Sequence, residues 1–220
     1  MKLYSVPHSP FAARVRIALR YKSLAYEDLG IPAEGLKSEQ FLAINPIGKI
    51  PVLLTDDLGP VVESEAILDY LEDRYPEPSL VPSNPAGRNR MRTVIRVCEN
   101  YVSNAVIALF PLLDPTGRNE AVLQAALDRW THGLELLAAF IGEDSHAAGD
   151  RLTLADCMVF PVLHLCNIIG PRLTKDQPLA PFPQLAGYYA RALSDPWLKA
   201  CHEEIEEGLR ALYASRAQAG

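Results

Sequence analysis

The spacing of apolar residues divides the chain into two differently built parts. Over residues 1–75, short apolar runs typical of β-strands alternate with segments whose apolar positions recur with helical spacing. The pattern predicts, in chain order, a strand over 2–6, a helix over 11–22, a strand over 25–29, a helix over 37–44, strands over 51–55 and 61–62, and a helix over 64–75. This β-α-β-α-β-β-α order joins a parallel crossover to a C-terminal hairpin.

A proline-rich stretch, residues 76–85, separates this part from the rest of the chain. Proline removes a backbone donor and clashes with the preceding helical turn, so the stretch is typical of a linker. Beyond it, helical spacing predicts helices over 86–110, 119–141, 154–169, 183–193 and 196–213. We therefore predict an α/β domain at residues 1–77, a linker at 78–86 and an all-α domain at 87–220.

Charge and composition exclude several classes of function. The 220 residues carry 21 Lys and Arg against 27 Asp and Glu, a net charge of −6 that does not fit a broad nucleic-acid-binding face. The longest uncharged runs, at residues 100–113 and 157–171, are broken by proline and polar residues and fall short of the roughly 18–20 apolar residues of a membrane span. No signal-peptide core follows Met1, so we expect a cytoplasmic protein without nucleic-acid or membrane partners.

The four cysteines, Cys98, Cys157, Cys166 and Cys201, include no C-x-x-C pair. Their wide spacing predicts free, mostly buried thiols rather than disulfides. His164 and Cys166 have the spacing of two metal ligands, but no second pair occurs at ligand spacing. We therefore predict no metal site.

Three short motifs in the α/β part carry candidate chemistry. The first predicted strand is followed by Ser9 and Pro10, and serine before proline is typical of a helix N-cap. The Ser9 hydroxyl either only starts the helix or also stabilises an anion at the positive helix end. No cysteine occurs at this strand-to-helix junction, which excludes dithiol–disulfide exchange there.

The other two motifs lie at residues 45–53 and 62–67. In the second motif, Pro51 stands at the start of an apolar strand. A cis bond there would leave the backbone groups of Ile50 free to pair with a ligand peptide, and an ordinary strand-entry proline is the alternative. In the third motif Ser64 is predicted to cap a helix whose free N–H groups favour a carboxylate, while Glu63 can pair with an ammonium group. Such a pair of sites suits the head of an α-amino acid.

Together the motifs resemble the glutathione S-transferase superfamily, in its serine-type classes similar to tau and zeta. The matching residues are Ser9-Pro10-Phe11 with Arg14-Val15-Arg16, Asn45-Pro46-x-x-Lys49-Ile50-Pro51-Val52-Leu53, Glu63-Ser64-x-Ala66-Ile67 and, in the helical part, Thr153-Leu154-Ala155-Asp156. The last resembles the family's helix-start motif, in which Asp156 has the structural role of a capping box. The resemblance implies a thioredoxin-like N-terminal domain that binds glutathione and an all-α domain that supplies most of the electrophile pocket.

The resemblance also implies roles for individual residues. Ser9 occupies the position of the catalytic serine, which donates a hydrogen bond to the glutathione thiolate. The implied contacts to the tripeptide are two cations near the glycyl end, Lys37 and Lys49, the backbone of Ile50 with Pro51 cis at the cysteinyl portion, and Glu63 and Ser64 at the γ-glutamyl amine and carboxylate. Candidates for the walls of the electrophile pocket are Phe11, Tyr101, Phe160 and His164.

The activity that the resemblance favours is conjugation of the glutathione thiolate to a small hydrophobic electrophile. Zeta-like isomerases share the run from Arg14 to Leu19 but carry Ser and Cys where this chain has Pro10, Phe11 and Ala12. A glutathione-dependent isomerase of maleyl-type substrates is therefore one alternative. A non-catalytic ligand-binding or regulatory protein of the same fold is the other.

Two charged stripes bear on assembly. Acidic residues recur along the helix before the linker, and basic residues recur along the helix after it; they are Glu65, Asp69, Glu72 and Arg88, Arg92, Arg96. Charge runs are usually solvated faces, but the superfamily typically dimerises with these two helices facing across a two-fold axis. The resemblance therefore implies a homodimer.

Overall fold

The computed structural model describes residues 1–219 and divides the chain into two compact units. One unit is Met1–Leu80 together with the chain from Pro196 onward, and the other is Val81–Asp195. The sequence assigns the last helix to the all-α domain, so the structural units differ from the predicted domains at this helix. Helical spacing identifies the apolar face of a helix but not the partner that covers it.

Within the described residues, every predicted helix begins within two positions of an observed one. The α-helices are α1 Pro10–Tyr21, α2 Glu39–Ile44, α3 Ser64–Arg74, α4 Pro85–Val97, α5 Asn104–Ile107, α6 Glu120–Ala138, α7 Leu154–Leu173, α8 Pro183–Ala192 and α9 Pro196–Ala219.

The first unit is built on a mixed sheet of four strands. The strands are β1 Lys2–Tyr4, β2 Glu27–Asp28, β3 Val52–Thr55 and β4 Gly59–Val62, and they lie in the order β2-β1-β3-β4. β1 is parallel to β2 and antiparallel to β3, while β3 and β4 form an antiparallel hairpin. Leu3 pairs with Leu53, and both are fully buried, so the register keeps apolar side chains in the core. The predicted crossover and hairpin are confirmed.

Helix α1 lies at the centre of this unit and packs against α3 and α9. Ser9 caps it, Pro10 occupies its first turn, and every residue from 12 to 19 is buried. The buried run includes Arg14 and Arg16, whose exposures are 1% and 0%. A buried guanidinium group must be hydrogen-bonded, so each arginine marks a point where α1 is tied to the rest of the unit.

A buried ion pair joins the end of α1 to the end of α3. Lys22 Nζ lies 2.6 Å from a carboxylate oxygen of Glu72 and donates to the carbonyls of Tyr75 and Pro78. The Glu72 carboxylate also accepts from the backbone N–H of Leu80 at 3.0 Å. The sequence placed Glu72 in an exposed acidic stripe; its carboxylate instead binds within its own unit, because the chain after α3 folds back over it.

The second unit departs from the predicted helix pattern at one place. The single helix predicted over 86–110 is divided into α4, a π-helical segment Cys98–Ser103, α5 and a 3₁₀ turn Phe110–Leu112. Helix α6 crosses the π-helical segment at Gly133, where an added Cβ would lie 2.1 Å from the carbonyl oxygen of Tyr101. A π turn keeps the chain helical, so spacing alone does not reveal it.

Helix α7 forms the core of the second unit. Its most apolar 18-residue window has a mean hydropathy of 1.5, which a membrane-spanning helix also reaches, although the prolines and polar residues of this run argue against a span. Since 83% of its apolar window is buried inside the protein, α7 has the burial of a core helix. The predicted capping box is confirmed: the buried Asp156 carboxylate accepts from the N–H and hydroxyl of Thr153. All four cysteines are buried thiols that form no disulfide, as predicted.

Candidate active site

Ser9 stands at the junction of β1 and α1. Its Oγ accepts a hydrogen bond from the Ala12 N–H at 3.2 Å, and its own N–H donates to the Val6 carbonyl at 3.1 Å. Because the hydroxyl oxygen accepts from the helix, its proton can be donated to a ligand atom at the helix end. Pro10 has no N–H and the Ala12 N–H is bonded to Ser9, so the Phe11 N–H and the helix dipole add positive potential at the same place. The predicted N-cap is confirmed, and the geometry suits an anion.

Arg14 connects this helix end to the start of α3. Its Nη1 donates to Ser64 Oγ at 3.3 Å, and its guanidinium carbon lies 4.5 Å from the centre of the Phe11 ring. With Arg14 bonded to its oxygen, the Ser64 hydroxyl has its own proton to donate. Arg14 therefore brings a buried positive charge to Ser64 and covers one face of Phe11.

Glu63 and Ser64 form the start of α3 in a way that corrects the sequence prediction. Ser64 is the first residue of the helix rather than its cap, and Glu63 occupies the cap position without a side-chain bond to the helix. Glu63 has φ +67°, a left-handed conformation that a residue with a side chain rarely adopts. Such backbone strain clusters at ligand sites. The start of α3, which the Glu63 side chain does not cap, has the positive potential that favours a carboxylate.

The loop before β3 is held by Asn45, which is 2% exposed. Its side-chain nitrogen donates to the Lys49 carbonyl at 2.8 Å, and its side-chain oxygen accepts from the Ile47 N–H at 3.0 Å. The bond between Ile50 and Pro51 is cis, as the motif allowed. Asn45 therefore fixes the backbone that carries Lys49 and Ile50 to the edge of β3.

The two lysines of the predicted glycyl site have different surroundings. Lys37 Nζ donates to the Ile47 carbonyl at 2.9 Å, and it lies so near Gly48 that an added Cβ there would be 2.7 Å from it. Lys49 is exposed. Lys37 is thus already tied to the loop of residues 45–49, so its charge lies at a defined place on that loop.

The candidate pocket residues of the helical unit fall into two groups. Phe160 and His164 are buried and stack with Tyr189, whose hydroxyl lies 2.6 Å from His164 Nδ1. Their ring faces are occupied by packing within the unit. Tyr101, 50% exposed on the π-helical segment, lines a cavity of about 260 Å³ together with Arg129 and its neighbours. A role of these residues in electrophile binding stays a prediction.

Arg14 and Arg16 belong to a motif of the sequence, but no role could be assigned to either of them from it. Residues two apart on a helix do not share a face, so at least one of them is expected to reach solvent. Both are buried instead: Arg14 bonds to Ser64, the first residue of α3, and Arg16 bonds to the loop that ends at Ser9. The sequence feature that indicates their burial is that each arginine is flanked by apolar or small residues on both sides, as in Ala13-Arg14-Val15.

Comparison with known proteins shows similarity in both parts of the chain. Family models described as the glutathione S-transferase N-terminal and C-terminal domains match residues 3–79 and 120–191. A maleylacetoacetate isomerase of Pseudomonas aeruginosa is 35% identical over 79% of this chain and 84% of its own length. Glutathione S-transferase Z2 of Arabidopsis thaliana is 37% identical over 86% and 84% of the respective lengths.

The fold agrees with a solved relative of the same family. A glutathione S-transferase of Methylobacterium radiotolerans, crystallised with glutathione sulfonate, superposes with a TM-score of 0.77 at 30% identity, covering 91% of this chain and 93% of that one. Both domain models, the curated relatives and the two-part fold thus agree, and the chain belongs to the glutathione S-transferase superfamily, with the character of its zeta class.

Proposed function

We propose that the protein is a glutathione-dependent isomerase of maleyl-type substrates, small compounds with a cis double bond beside a carboxylate. The observation that carries glutathione chemistry is the Ser9 hydroxyl at the N-terminus of α1, with its oxygen bonded to the helix and its proton available. The similarity to a maleylacetoacetate isomerase and to zeta-class transferases favours isomerisation over conjugation.

The tripeptide is proposed to lie along the edge formed by the starts of α1, β3 and α3. The γ-glutamyl carboxylate takes the proton of Ser64 and the first N–H groups of α3, with the Arg14 charge behind that hydroxyl. The ammonium group pairs with Glu63. The cysteinyl backbone pairs with Ile50, and the glycyl carboxylate meets Lys49 and, beside it, Lys37.

Ser9 is proposed to lower the pKa of the bound thiol. A free thiol has a pKa of about 8.5, so lowering it by ~2 units requires ~2.7 kcal/mol of preferential stabilisation of the thiolate. A hydroxyl donor together with a helix N-terminus supplies a stabilisation of this size. Ser9 therefore acts as a hydrogen-bond donor to sulfur and not as a nucleophile, and needs no histidine partner.

Isomerisation and conjugation share their first step. The thiolate adds to the double bond; in isomerisation the resulting single bond then rotates and the same thiolate leaves, so glutathione is regenerated and the substrate becomes trans. In conjugation the adduct, or the product of displacement, is released. One specific observation favours conjugation as the second candidate: Pro10, Phe11 and Ala12 stand where zeta-like isomerases carry Ser and Cys.

The decisive experiment incubates the purified protein with glutathione and either maleylacetone or an aryl halide. Formation of the trans isomer without net loss of glutathione supports isomerisation. Consumption of glutathione with an aryl conjugate as the main activity contradicts it in favour of conjugation. Binding without turnover of either compound supports the third reading, a non-catalytic ligand-binding protein. Buried cysteine thiols without disulfides fit a reducing compartment, and we propose that the enzyme is located in the cytosol.

A further inference from the structure

The loop of residues 6–9, which ends at Ser9, is held by a buried arginine of the helix that follows it. Arg16 Nη1 donates to the Val6 carbonyl at 3.1 Å, and its Nη2 donates to the Pro7 carbonyl at 2.7 Å. The Ser9 N–H donates to the same Val6 carbonyl. The position of Ser9 is therefore coupled, through one shared carbonyl, to the position of the Arg16 guanidinium.

The guanidinium is in turn held by α9. Glu204 Oε2 accepts from Arg16 Nε at 2.9 Å and from Arg20 Nη2 at 2.8 Å. Arg16 is fully buried, so its position depends on these bonds rather than on solvent. A carboxylate of the last helix thus orients the arginine that holds the loop.

A second contact joins α9 to the same loop without any charge. At Gly208 an added Cβ would lie 2.6 Å from Pro7 Cβ and 2.9 Å from the backbone nitrogen of His8. Real Cβ atoms do not approach that closely, and the atoms in the way are a rigid ring and the main chain. Glycine is therefore required for the α9 backbone to lie against the residues directly before Ser9.

We infer that α9 positions the catalytic loop, and that Glu204, Arg16 and Gly208 are positioning residues for the Ser9 hydroxyl. The inference rests on the proposed role of Ser9. A hydrogen bond to an anionic sulfur weakens steeply with distance and angle, so a small displacement of residues 6–9 reduces stabilisation of the thiolate. The rest of the tripeptide is held by other segments, and its binding is not affected.

The test compares Gly208→Ala with Gly187→Ala, a glycine of α8 where the atom nearest an added Cβ is the end of a flexible arginine side chain. Each variant is titrated with pH to follow the thiolate absorbance of bound glutathione, and turnover and affinity for S-methylglutathione are measured. For Gly208→Ala we expect the titration midpoint of the bound glutathione thiol to rise by about one pH unit and turnover at neutral pH to fall about tenfold. The affinity of Gly208→Ala for S-methylglutathione should stay within about twofold of the wild-type value. Gly187→Ala should change neither the midpoint, nor the turnover, nor this affinity. An unchanged midpoint in a folded Gly208→Ala protein overturns the inference.

Glu204→Gln keeps the test valid if Gly208→Ala does not fold. The amide still accepts a hydrogen bond but lacks the charge, so we expect a smaller rise of the same midpoint with unchanged affinity for S-methylglutathione. A Glu204→Gln protein with the wild-type midpoint contradicts the inference. Ser9→Ala distinguishes failure of the proposed role of Ser9 from failure of the positioning role of α9. If Ser9→Ala leaves the titration midpoint of the bound thiol unchanged, the proposed role of Ser9 fails. If Ser9→Ala raises this midpoint while the α9 variants do not, only the positioning role fails.

Discussion

Replacing Ser9 by Ala separates helix capping from thiolate stabilisation. The substitution removes one long hydrogen bond, from the Ala12 N–H at 3.2 Å, but keeps both backbone bonds of residue 9, to Val6 and from Ala13. Loss of a cap of this kind costs about 1 kcal/mol, a small part of the roughly 5–15 kcal/mol that stabilises a domain. Loss of one donor to a developing or fixed anion lowers turnover by about 10²–10³. The protein should therefore fold, bind glutathione and lose most of its activity.

The assay follows the thiolate absorbance of bound glutathione against pH, together with turnover and calorimetric affinity. Ser38→Ala is the matched control, because the Ser38 hydroxyl caps α2 through an equivalent bond from the Phe41 N–H at 3.2 Å. The control should lose a similar amount of stability yet keep the wild-type midpoint. If Ser9→Ala keeps both the midpoint and the turnover, Ser9 is only a helix cap.

Three further predictions concern binding, pH and assembly. Glu63→Gln should weaken glutathione binding by about tenfold or more in calorimetry, and Lys49→Gln by less, because an exposed cation is screened; equal losses would argue against the ammonium site. Burial opposes charging of His146, but its hydrogen bond to Asp195 and the nearby carboxylates outweigh burial and raise its pKa above 6.5. The His146–Asp195 pair therefore contributes its full stability below about pH 6.5 and loses it as pH rises through the higher pKa of the folded state. The melting temperature of wild type should exceed that of Asp195→Asn at low pH, and the difference should shrink as pH rises. A difference that does not change with pH would refute this prediction. Light scattering at micromolar concentration should give a homodimer, and a monomer would exclude one.

The local features of the candidate site could be predicted because neighbouring residues determine them. Serine before proline indicates a cap, and Ser9 forms it. The sequence Thr153-Leu154-Ala155-Asp156 indicates a capping box, and the structure contains it. Each of these signals depends on a hydrogen bond between residues two to four positions apart, for which the sequence alone supplies both partners.

The features that could not be predicted depend on partners far apart in the chain. Glu72 fits a helical stripe of acidic residues, and only the return of the chain over α3 gives it Lys22 and Leu80 as partners. Arg16 lies in the family motif, but its carboxylate partner is 188 residues away. Serine is a preferred N-cap residue, which favours Ser64 as the cap of α3, but the turn from β4 into α3 places Glu63 at the cap position instead. In each case the sequence pattern identifies the chemical group, but its partner is determined by the tertiary fold.

The dependence of Arg16 on Glu204 also bears on how the chain is made. Domains usually fold in order as they leave the ribosome, the N-terminal one first. Here the first unit includes α9, so its sheet and α1 are synthesised long before the carboxylate that neutralises a fully buried guanidinium. The unit cannot reach its final packing until nearly the whole chain has been translated. A nascent chain that ends before Glu204 therefore carries every motif proposed to bind glutathione but lacks the counter-charge for Arg16.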